Sequence, residues 1–244
     1  MTNTLVLTCT TMATEPLKLY ASYTKSYEGI ATDFFVPSLG NQFDTHITLL
    51  EDTPGGEYKS HNFAGVLEKK QNMILNAIQE NWGDVFIVSD VDIQIFKPIT
   101  EDLLNAIEGY DIVCLNDHIT HGPDVLCAGF FICRANDLTL RLLELVKKQT
   151  PRENREQICF NYIIQHSHRL LGKQIRYDYL PESYINGCTH PNRLWQSGMD
   201  FPVPRDIALH HANWTIGIDD KIAQLDNVRN AVAQRQKIAE QSIV

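Results

Sequence analysis

The feature that most constrains the fold is an uninterrupted apolar run, Val85–Val88, which leads directly into two carboxylates, Asp90 and Asp92. A run without polar alternation is typical of a strand buried on both faces, the kind found inside a parallel sheet. In open α/β sheets, ligands bind beyond the carboxyl ends of the strands. The segment therefore predicts a buried strand that carries Asp90 and Asp92 at a binding edge.

Other strand-like segments alternate with helix-like segments, which indicates βαβ units and a mainly parallel sheet with helices on both faces. No repeat and no Gly-, Pro- or Ser-rich linker interrupts the pattern, so we expect one α/β domain over residues 1–225 and a C-terminal helix or tail over 226–244. The predicted strands are 4–10, 33–36, 46–50, 85–89, 112–115, 130–133, 175–180 and 207–210. The predicted helices are 17–27, 64–81, 100–108, 136–148, 153–170 and one that follows Gly217.

Composition argues against several classes of function. The chain has 21 Lys and Arg against 30 Asp and Glu, a formal net charge of -9, whereas nucleic-acid binding needs clustered positive charge. No stretch reaches the roughly 18 apolar residues of a membrane span, and the N-terminus does not resemble a signal peptide. Six cysteines without a CxxC pair favour reduced thiols. We therefore expect a cytoplasmic protein with no nucleic-acid partner and no membrane span, in which the sequon at Asn213 has no glycosylation role.

The carboxylate pair indicates a metal site. Alternation along an extended chain points Asp90 and Asp92 to the same side, and two nearby carboxylates repel unless a cation lies beside them. Mg²⁺ or Mn²⁺ suits such oxygen ligands and is usually completed by substrate phosphates. The alternatives are a turn cap with a solvated second Asp, or the nucleophile and acid of a haloacid-dehalogenase-type phosphatase. That phosphatase motif lies near an N-terminus and contains a Thr or Gly that is missing here.

Four stretches together resemble, in the same order and at similar spacing, the nucleotide-diphospho-sugar transferases, in particular retaining galactosyl- and xylosyltransferases of the GT-A fold. They are FIVSDVDIQIFKPI, LCAGFFICRAN, REQICFN and ALHHANWTIGIDDKIAQL, within residues 60–225. The resemblance implies a single GT-A (Rossmann-like) domain, with a mainly parallel mixed sheet flanked by helices. It also implies a glycosyltransferase that uses Mn²⁺ or Mg²⁺ and a nucleotide-diphosphate sugar, expected to be UDP-linked, with a glycan, lipid or protein as acceptor.

The resemblance assigns the metal ligands to Asp90, Asp92 and His211, with Asp90 shared with the ribose side. His210 is the alternative to His211. If 207–210 is a strand, His211 lies at its end and His210 lies on the face opposite to Leu209, so His211 is the better candidate.

The resemblance also implies catalytic roles. Gln157 would lie under the reacting sugar carbon and Lys221 would bind the diphosphate. Retention is implied, without an obvious protein nucleophile; an inverting course would need a carboxylate base, for which Asp117 and Glu156 are the candidates. The residues expected around the nucleotide sugar are Thr8, Cys9, Thr10, Lys70, Asp90, Val91, Asn116, Gly129, Asn161, Asn213, Trp214 and Gly217.

Two of these residues have alternative explanations. Lys70 lies in the apolar stripe of the 64–81 helix, where a cation either pairs with Asp90 or the nucleotide or extends to water. Gly129 either gives the sugar close access to the backbone or permits a β-bulge.

Two other functions stay open for the protein, a metal-dependent phosphohydrolase and a non-catalytic sugar-nucleotide binder.

Overall fold

The structure of the protein, a computed structural model, describes residues 16–50, 63–117, 124–153, 155–186 and 195–241. The strands are β1 Leu17–Tyr23, β2 Phe43–Leu49, β3 Val85–Ser89, β4 Ile93–Ile95, β5 Ile112–Asn116, β6 Leu126–Arg134, β7 Tyr177–Tyr179, β8 Tyr184–Asn186 and β9 Leu209–His211. The α-helices are α1 Glu28–Ile30, α2 Val36–Leu39, α3 Phe63–Glu80, α4 Thr100–Ala106, α5 Asp137–Glu153, α6 Glu156–Gln165, α7 Ser167–Leu171 and α8 Ile218–Gln241. A 3-10 turn, Lys25–Tyr27, precedes α1, and a π-helical turn, Ala31–Phe35, joins α1 to α2. Within these ranges, no helix has both the length and the apolar composition that crossing a membrane requires.

The central sheet has six strands in the order β2-β1-β3-β6-β5-β7. β6 is antiparallel to both of its neighbours, and the other pairs are parallel. Five strands therefore run in one direction, which confirms the predicted mainly parallel mixed sheet. Because β6 runs the other way, the start of β6 lies at the same edge of the sheet as the carboxyl ends of β1, β3 and β5.

Alternate residues of the central strands pack into two separate cores. On β3, Ile87 belongs to one hydrophobic cluster, whereas Phe86 and Val88 belong to another. The first cluster includes residues of the π-helical turn, α2 and α4; the second includes residues of α3, α5 and α6. Since both faces of the sheet are covered at its centre, the strands β3, β5 and β6 are nearly continuous apolar runs, as the segment Val85–Val88 predicted for β3.

A second, three-stranded sheet was not predicted. Its order is β4-β9-β8, and β4 pairs antiparallel with β9 so that Ile93 faces His211. The backbone N–H of Ala212 donates to the carbonyl of Asp92 at 2.8 Å. This sheet begins directly after Asp92, and its pairing brings the chain around His211 beside the carboxylates at the end of β3.

Most of the predicted elements are confirmed with shifted ends. The strands predicted at 46–50, 85–89, 112–115, 130–133, 175–180 and 207–210 are β2, β3, β5, β6, β7 and β9. The helices predicted at 64–81, 100–108 and 136–148 are α3, α4 and α5, and the C-terminal helix is α8. Residue 225 lies inside α8, and the division of the chain at that residue stays a prediction. The strand predicted at 4–10 lies outside the described residues.

Two predicted elements are wrong, and a third is divided. The predicted helix 17–27 is strand β1, in which Leu19 and Tyr20 pack into different cores, as period-two alternation requires. The predicted strand 33–36 is helical, because its buried residues continue a helical spacing from Ile30; short apolar runs do not distinguish the two by periodicity. The predicted helix 153–170 is α6 and α7, separated at His166, whose φ of -108° is not helical.

His210 is a fully buried imidazole within β9. Its ring makes a T-shaped contact with Phe201, at 5.0 Å between centroids. Neither ring nitrogen has a hydrogen-bond partner of good geometry among the described residues, although Gln224 lies beside the ring. Burial, with a smaller contribution from His211, lowers the pKa of His210 to about 3. The folded protein therefore keeps this ring neutral.

We predict that His210 makes the protein less stable in mild acid. The unfolded chain binds a proton at this ring below about pH 6.5, whereas the folded chain does not. The free energy of unfolding should therefore be unaffected above pH 6.5 and should fall below it by up to ~1.4 kcal/mol per pH unit from this ring. Urea unfolding of the unmodified protein and of His210→Leu from pH 8 to pH 5 measures this. Identical pH dependence in the two proteins would contradict it.

Candidate functional site

A cavity of about 590 Å³ lies where the carboxyl ends of β1 and β3 meet the start of β6. The first residues of α6, the inner face of α3 and the chain from β9 to α8 complete its wall. This is the edge at which open α/β sheets bind ligands. The predicted site residues that line the cavity are Lys70, Asp90, Val91, Asp92, Asp117, Gly129, Gln157, His211, Asn213, Trp214, Gly217 and Lys221.

Asp90, Asp92 and His211 converge in this cavity. Each offers one ligand atom, and these atoms lie within 4.8 Å of one another. Nε2 of His211 is 3.2 Å from Oδ1 of Asp92 and 3.8 Å from Oδ2 of Asp90. Two carboxylates and an imidazole are a donor set that fits Mn²⁺ and, less completely, Mg²⁺. Between the two histidines, His211 is the one that faces the carboxylates, as the strand alternation predicted.

The two carboxylates are already neutralised by lysines. Nζ of Lys70 lies 2.8 Å from Oδ1 of Asp90, and Nζ of Lys221 donates to Oδ2 of Asp92 and, at 2.7 Å, to the carbonyl of Ala212. Burial alone would raise the pKa of Asp92, but Lys221 and His211 outweigh it and hold that pKa well below its usual range. Asp92 is therefore ionised although it is buried, while the side chain of Asp90 keeps 36% of its surface exposed.

Lys70 connects Asp90 to α6. Its ammonium also contacts Oε2 of Glu156 and the carbonyl of Ala128, each at 3.1 Å. Burial raises the pKa of Glu156, and Lys70 opposes that rise. The predicted pairing of Lys70 with Asp90 is therefore present, and the alternative in which Lys70 extends to water is wrong. Glu156, expected only as a candidate base, is a partner of this lysine.

Asp117 is a buried acceptor for three side chains. Gln157 Nε2 donates to it at 2.7 Å, Asn213 Nδ2 at 2.6 Å and Trp214 Nε1 at 2.8 Å. Only 1% of Asp117 is exposed. A carboxylate whose two oxygens accept three hydrogen bonds suits a residue that positions its neighbours better than a base that receives a proton.

The backbone of Trp214, whose indole donates to Asp117, has an unusual conformation. Its φ is +56°, and no other described residue except glycine has a positive φ. Such a conformation costs about 1–3 kcal/mol for a residue with a side chain, and it tends to occur at functional sites. The hydrogen bond from the indole to Asp117 offsets that cost and fixes the turn between β9 and α8 against the cavity.

Gln157 and Asn161 connect α6 to the start of β6. Oε1 of Gln157 accepts from the N–H of Ala128 at 3.2 Å. The amide of Asn161 accepts from the N–H of Leu126 at 2.9 Å and donates to its carbonyl at 2.7 Å and to the carbonyl of Gln157 at 2.8 Å. Asn161 therefore contacts the backbone of Gln157, and it does not line the cavity. Nor does Asn116, whose amide donates to Asp124 at 2.7 Å.

Gly129 is required by the side chains that surround it. A Cβ at this position would lie 2.3 Å from Cε1 of His211 and 2.7 Å from Oδ2 of Asp90. The pairing of β6 with β5 also changes register between Phe131 and Leu126, so Gly129 lies in an irregular stretch, as the β-bulge alternative proposed. The bulge and the missing side chain together let β6 pass close to Asp90 and His211.

One wall of the cavity was not predicted from the sequence. Ser22, Tyr23 and Thr24, at the end of β1, line it, but this segment was predicted as a helix. The alternation in LKLYASY was the signal that would have identified the strand. The nucleotide-binding role was assigned instead to Thr8, Cys9 and Thr10, which lie outside the described residues.

We predict that Gly129→Ala weakens Mn²⁺ binding at least about tenfold, because the new methyl group displaces His211 or Asp90 from the cluster. Mn²⁺ affinity measured by electron paramagnetic resonance would show the loss. Gly29→Ala is the matched control, since a Cβ there meets no atom within 4 Å. Equal Mn²⁺ affinity in the two variants would contradict the close approach at Gly129.

Comparison with known proteins gives one family match and several structural matches. Residues 41–225 match the family model described as nucleotide-diphospho-sugar transferase. The crystal structure of a glycosyltransferase involved in the glycosylation of the major capsid of PBCV-1 superposes with a TM-score of 0.58 at 10% identity, over 86% of this chain and 99% of that chain. Apo GlyE, a glycosyltransferase of Streptococcus pneumoniae TIGR4, gives a TM-score of 0.53 at 9% identity, over 91% and 64% of the two chains.

At such low identity, the similarity to solved structures shows the fold alone. Among curated proteins, none matches this chain. The family match, in contrast, covers more than half of the chain, and the superposition on the PBCV-1 glycosyltransferase extends over 86% of it. The chain therefore has the GT-A fold and belongs to the nucleotide-diphospho-sugar transferase family.

Proposed function

We propose that this protein is a metal-dependent, retaining glycosyltransferase that moves a sugar from a UDP-sugar to a glycan, lipid or protein acceptor. The observation that carries the proposal is the convergence of Asp90, Asp92 and His211 in the large cavity of a chain from this family. The glycine cradle at Gly129, which a side chain would fill, supports the same use of the cluster.

The donor set fits a divalent cation, so Asp90, Asp92 and His211 would hold Mn²⁺ or Mg²⁺. When bound, such a cation supplies positive charge that stabilises the departing diphosphate. Lys221 lies beside it in the first turns of α8 and contributes a second, compact cation for the phosphates. Gly217 lines the cavity directly before α8, so the positive end of this helix also faces the phosphates.

The end of β1 is the proposed place for the nucleoside. Ser22, Tyr23 and Thr24 line the cavity on the side of α3, and Tyr27 extends the same wall. Hydroxyl groups and aromatic faces suit the ribose and the base. Thr8, Cys9 and Thr10 remain predicted contacts of the nucleotide, in line with their assignment from the sequence.

The arrangement of carboxylates favours retention. Among the described residues that line the cavity, each carboxylate is already bound: Asp90 and Glu156 to Lys70, Asp92 to Lys221, and Asp117 to three donors. None is poised to accept a proton from an acceptor hydroxyl. In the proposed reaction, the bond from the anomeric carbon to the leaving phosphate breaks as the bond to the acceptor oxygen forms. The acceptor proton passes to an oxygen of the leaving phosphate.

Gln157 and Asp117 position the reacting sugar in this proposal. Gln157 is held between the N–H of Ala128 and Asp117, so its amide has a fixed orientation at the cavity wall.

A cytoplasmic location is part of the proposal as well. Its support is the set of buried free thiols among the described residues, at Cys114, Cys127, Cys133 and Cys159.

We predict that Asp92→Asn and His211→Gln each weaken Mn²⁺-dependent UDP binding by at least about 100-fold, because each removes a ligand of the cation. Isothermal titration calorimetry of UDP with Mn²⁺, and again with a chelator, measures the loss, and release of UDP from UDP-sugars measures turnover. His166→Gln, at a half-buried ring between α6 and α7 that lies outside the cavity lining, is the control. Unchanged UDP affinity and turnover in both site variants would refute metal dependence.

A further inference from the structure

The two ring nitrogens of His211 have different partners. Nε2 faces Oδ1 of Asp92 at 3.2 Å, and Nδ1 lies 3.6 Å from Sγ of Cys127. The ring is 3% exposed and the cysteine 1%. Among the described residues, that sulfur is the hydrogen-bond partner of Nδ1.

The sulfur of Cys127 is itself fixed in place. It accepts the backbone N–H of Gly129 at 3.4 Å, and the amide of Asn213 lies 4.0 Å away. A thiol has one S–H to donate and lone pairs to accept.

Neutral imidazole carries one proton, and its position depends on what Nε2 binds. When Nε2 faces only Asp92, the proton lies on Nε2 and is donated to the carboxylate, so Nδ1 needs a donor. When a cation binds Nε2, the proton must lie on Nδ1, which then needs an acceptor. The carbonyl or carboxylate that usually holds a metal-binding histidine can only accept. A thiol can do both.

We propose that Cys127 is a positioning residue whose thiol holds the ring of His211 in both states, donating to Nδ1 without the cation and accepting from Nδ1 when the cation is bound. This inference rests on the proposed metal-dependent function. The net protonation of the ring does not change, because Nε2 releases one proton to solvent while Nδ1 takes one up. The ring is therefore ready to bind the cation without rotating.

Two substitutions separate hydrogen bonding from packing. Cys127→Ser keeps a group that donates and accepts, whereas Cys127→Ala removes it. We expect Cys127→Ala to lower Mn²⁺ affinity about 10- to 100-fold, as loss of an outer-shell partner does, and Cys127→Ser to retain affinity within about threefold of the unmodified protein. Cys133→Ala, a buried thiol on the same strand β6, controls for the small cavity that the alanine leaves. Electron paramagnetic resonance of Mn²⁺ measures the affinities.

The tautomer of His211 gives a readout that is independent of activity. Nitrogen NMR of the ring should show the proton on Nε2 in the metal-free protein and on Nδ1 after Zn²⁺, a diamagnetic probe, is added. In metal-free Cys127→Ala, the preference for Nε2–H should weaken, and in Cys127→Ser it should persist.

Three results would overturn the inference. The first is unchanged Mn²⁺ affinity and an unchanged His211 tautomer in Cys127→Ala. The second is a loss of Mn²⁺ affinity in Cys127→Ser as large as that in Cys127→Ala. The third is a loss of Mn²⁺ affinity in Cys133→Ala as large as that in Cys127→Ala. Failure of the proposed function is distinguishable, because the unmodified protein would then bind no Mn²⁺ even with UDP. That outcome would also overturn the metal-bound half of the inference, while the metal-free tautomer would still test the other half.

Discussion

The structure around the cavity depends on the neutralisation of carboxylates that the fold places at the end of β3. A buried charge without a partner costs several kcal/mol, and Asp92 is only 6% exposed. Lys70 from α3 and Lys221 from α8 provide the compensating charge. These ion pairs bind two helices that are distant in sequence to the carboxyl end of β3. The cavity lining holds four carboxylates against Lys70, Lys221 and Arg155, and this balance supports the proposed binding of a divalent cation.

The antiparallel strand β6 is what completes the site. Were β6 parallel to its neighbours, its first residues would lie at the opposite edge of the sheet. Because β6 is antiparallel and bulged, Cys127 lies beside the ring of His211 and Gly129 lies against both His211 and Asp90. Asn161 and Gln157 then hold this stretch of β6 to α6. Because Gly129 has no side chain, β6 approaches the buried imidazole of His211 closely, and this packing fixes the positions of Asp90 and His211 relative to each other.

The sequence indicated the parts of the site that depend on local pattern. The apolar run before Asp90 predicted a buried strand and the edge at which it ends. The position of Lys70 within an apolar stripe left three alternatives, of which the structure shows the pairing with Asp90. The alternation along β9 predicted that His211, rather than His210, faces the carboxylates. The network at Asp117 could not be predicted, because its partners Asn213 and Trp214 lie 96 and 97 residues away. The predicted helix 17–27 was wrong because the period-two alternation of this segment was not weighed against helical spacing. The small sheet was missed because two of its strands, β4 and β8, have only three residues each and were not predicted.

The most direct test of metal-dependent nucleotide binding at this cluster is anomalous X-ray diffraction from crystals of the protein grown with UDP and Mn²⁺. The account predicts a manganese anomalous peak bonded to Asp92 and His211, with Asp90 at or next to the ion and both phosphates of UDP on its open side near Lys221. UDP bound in the cavity with no anomalous peak among these residues would contradict it, as would a manganese peak and a nucleotide at separate places.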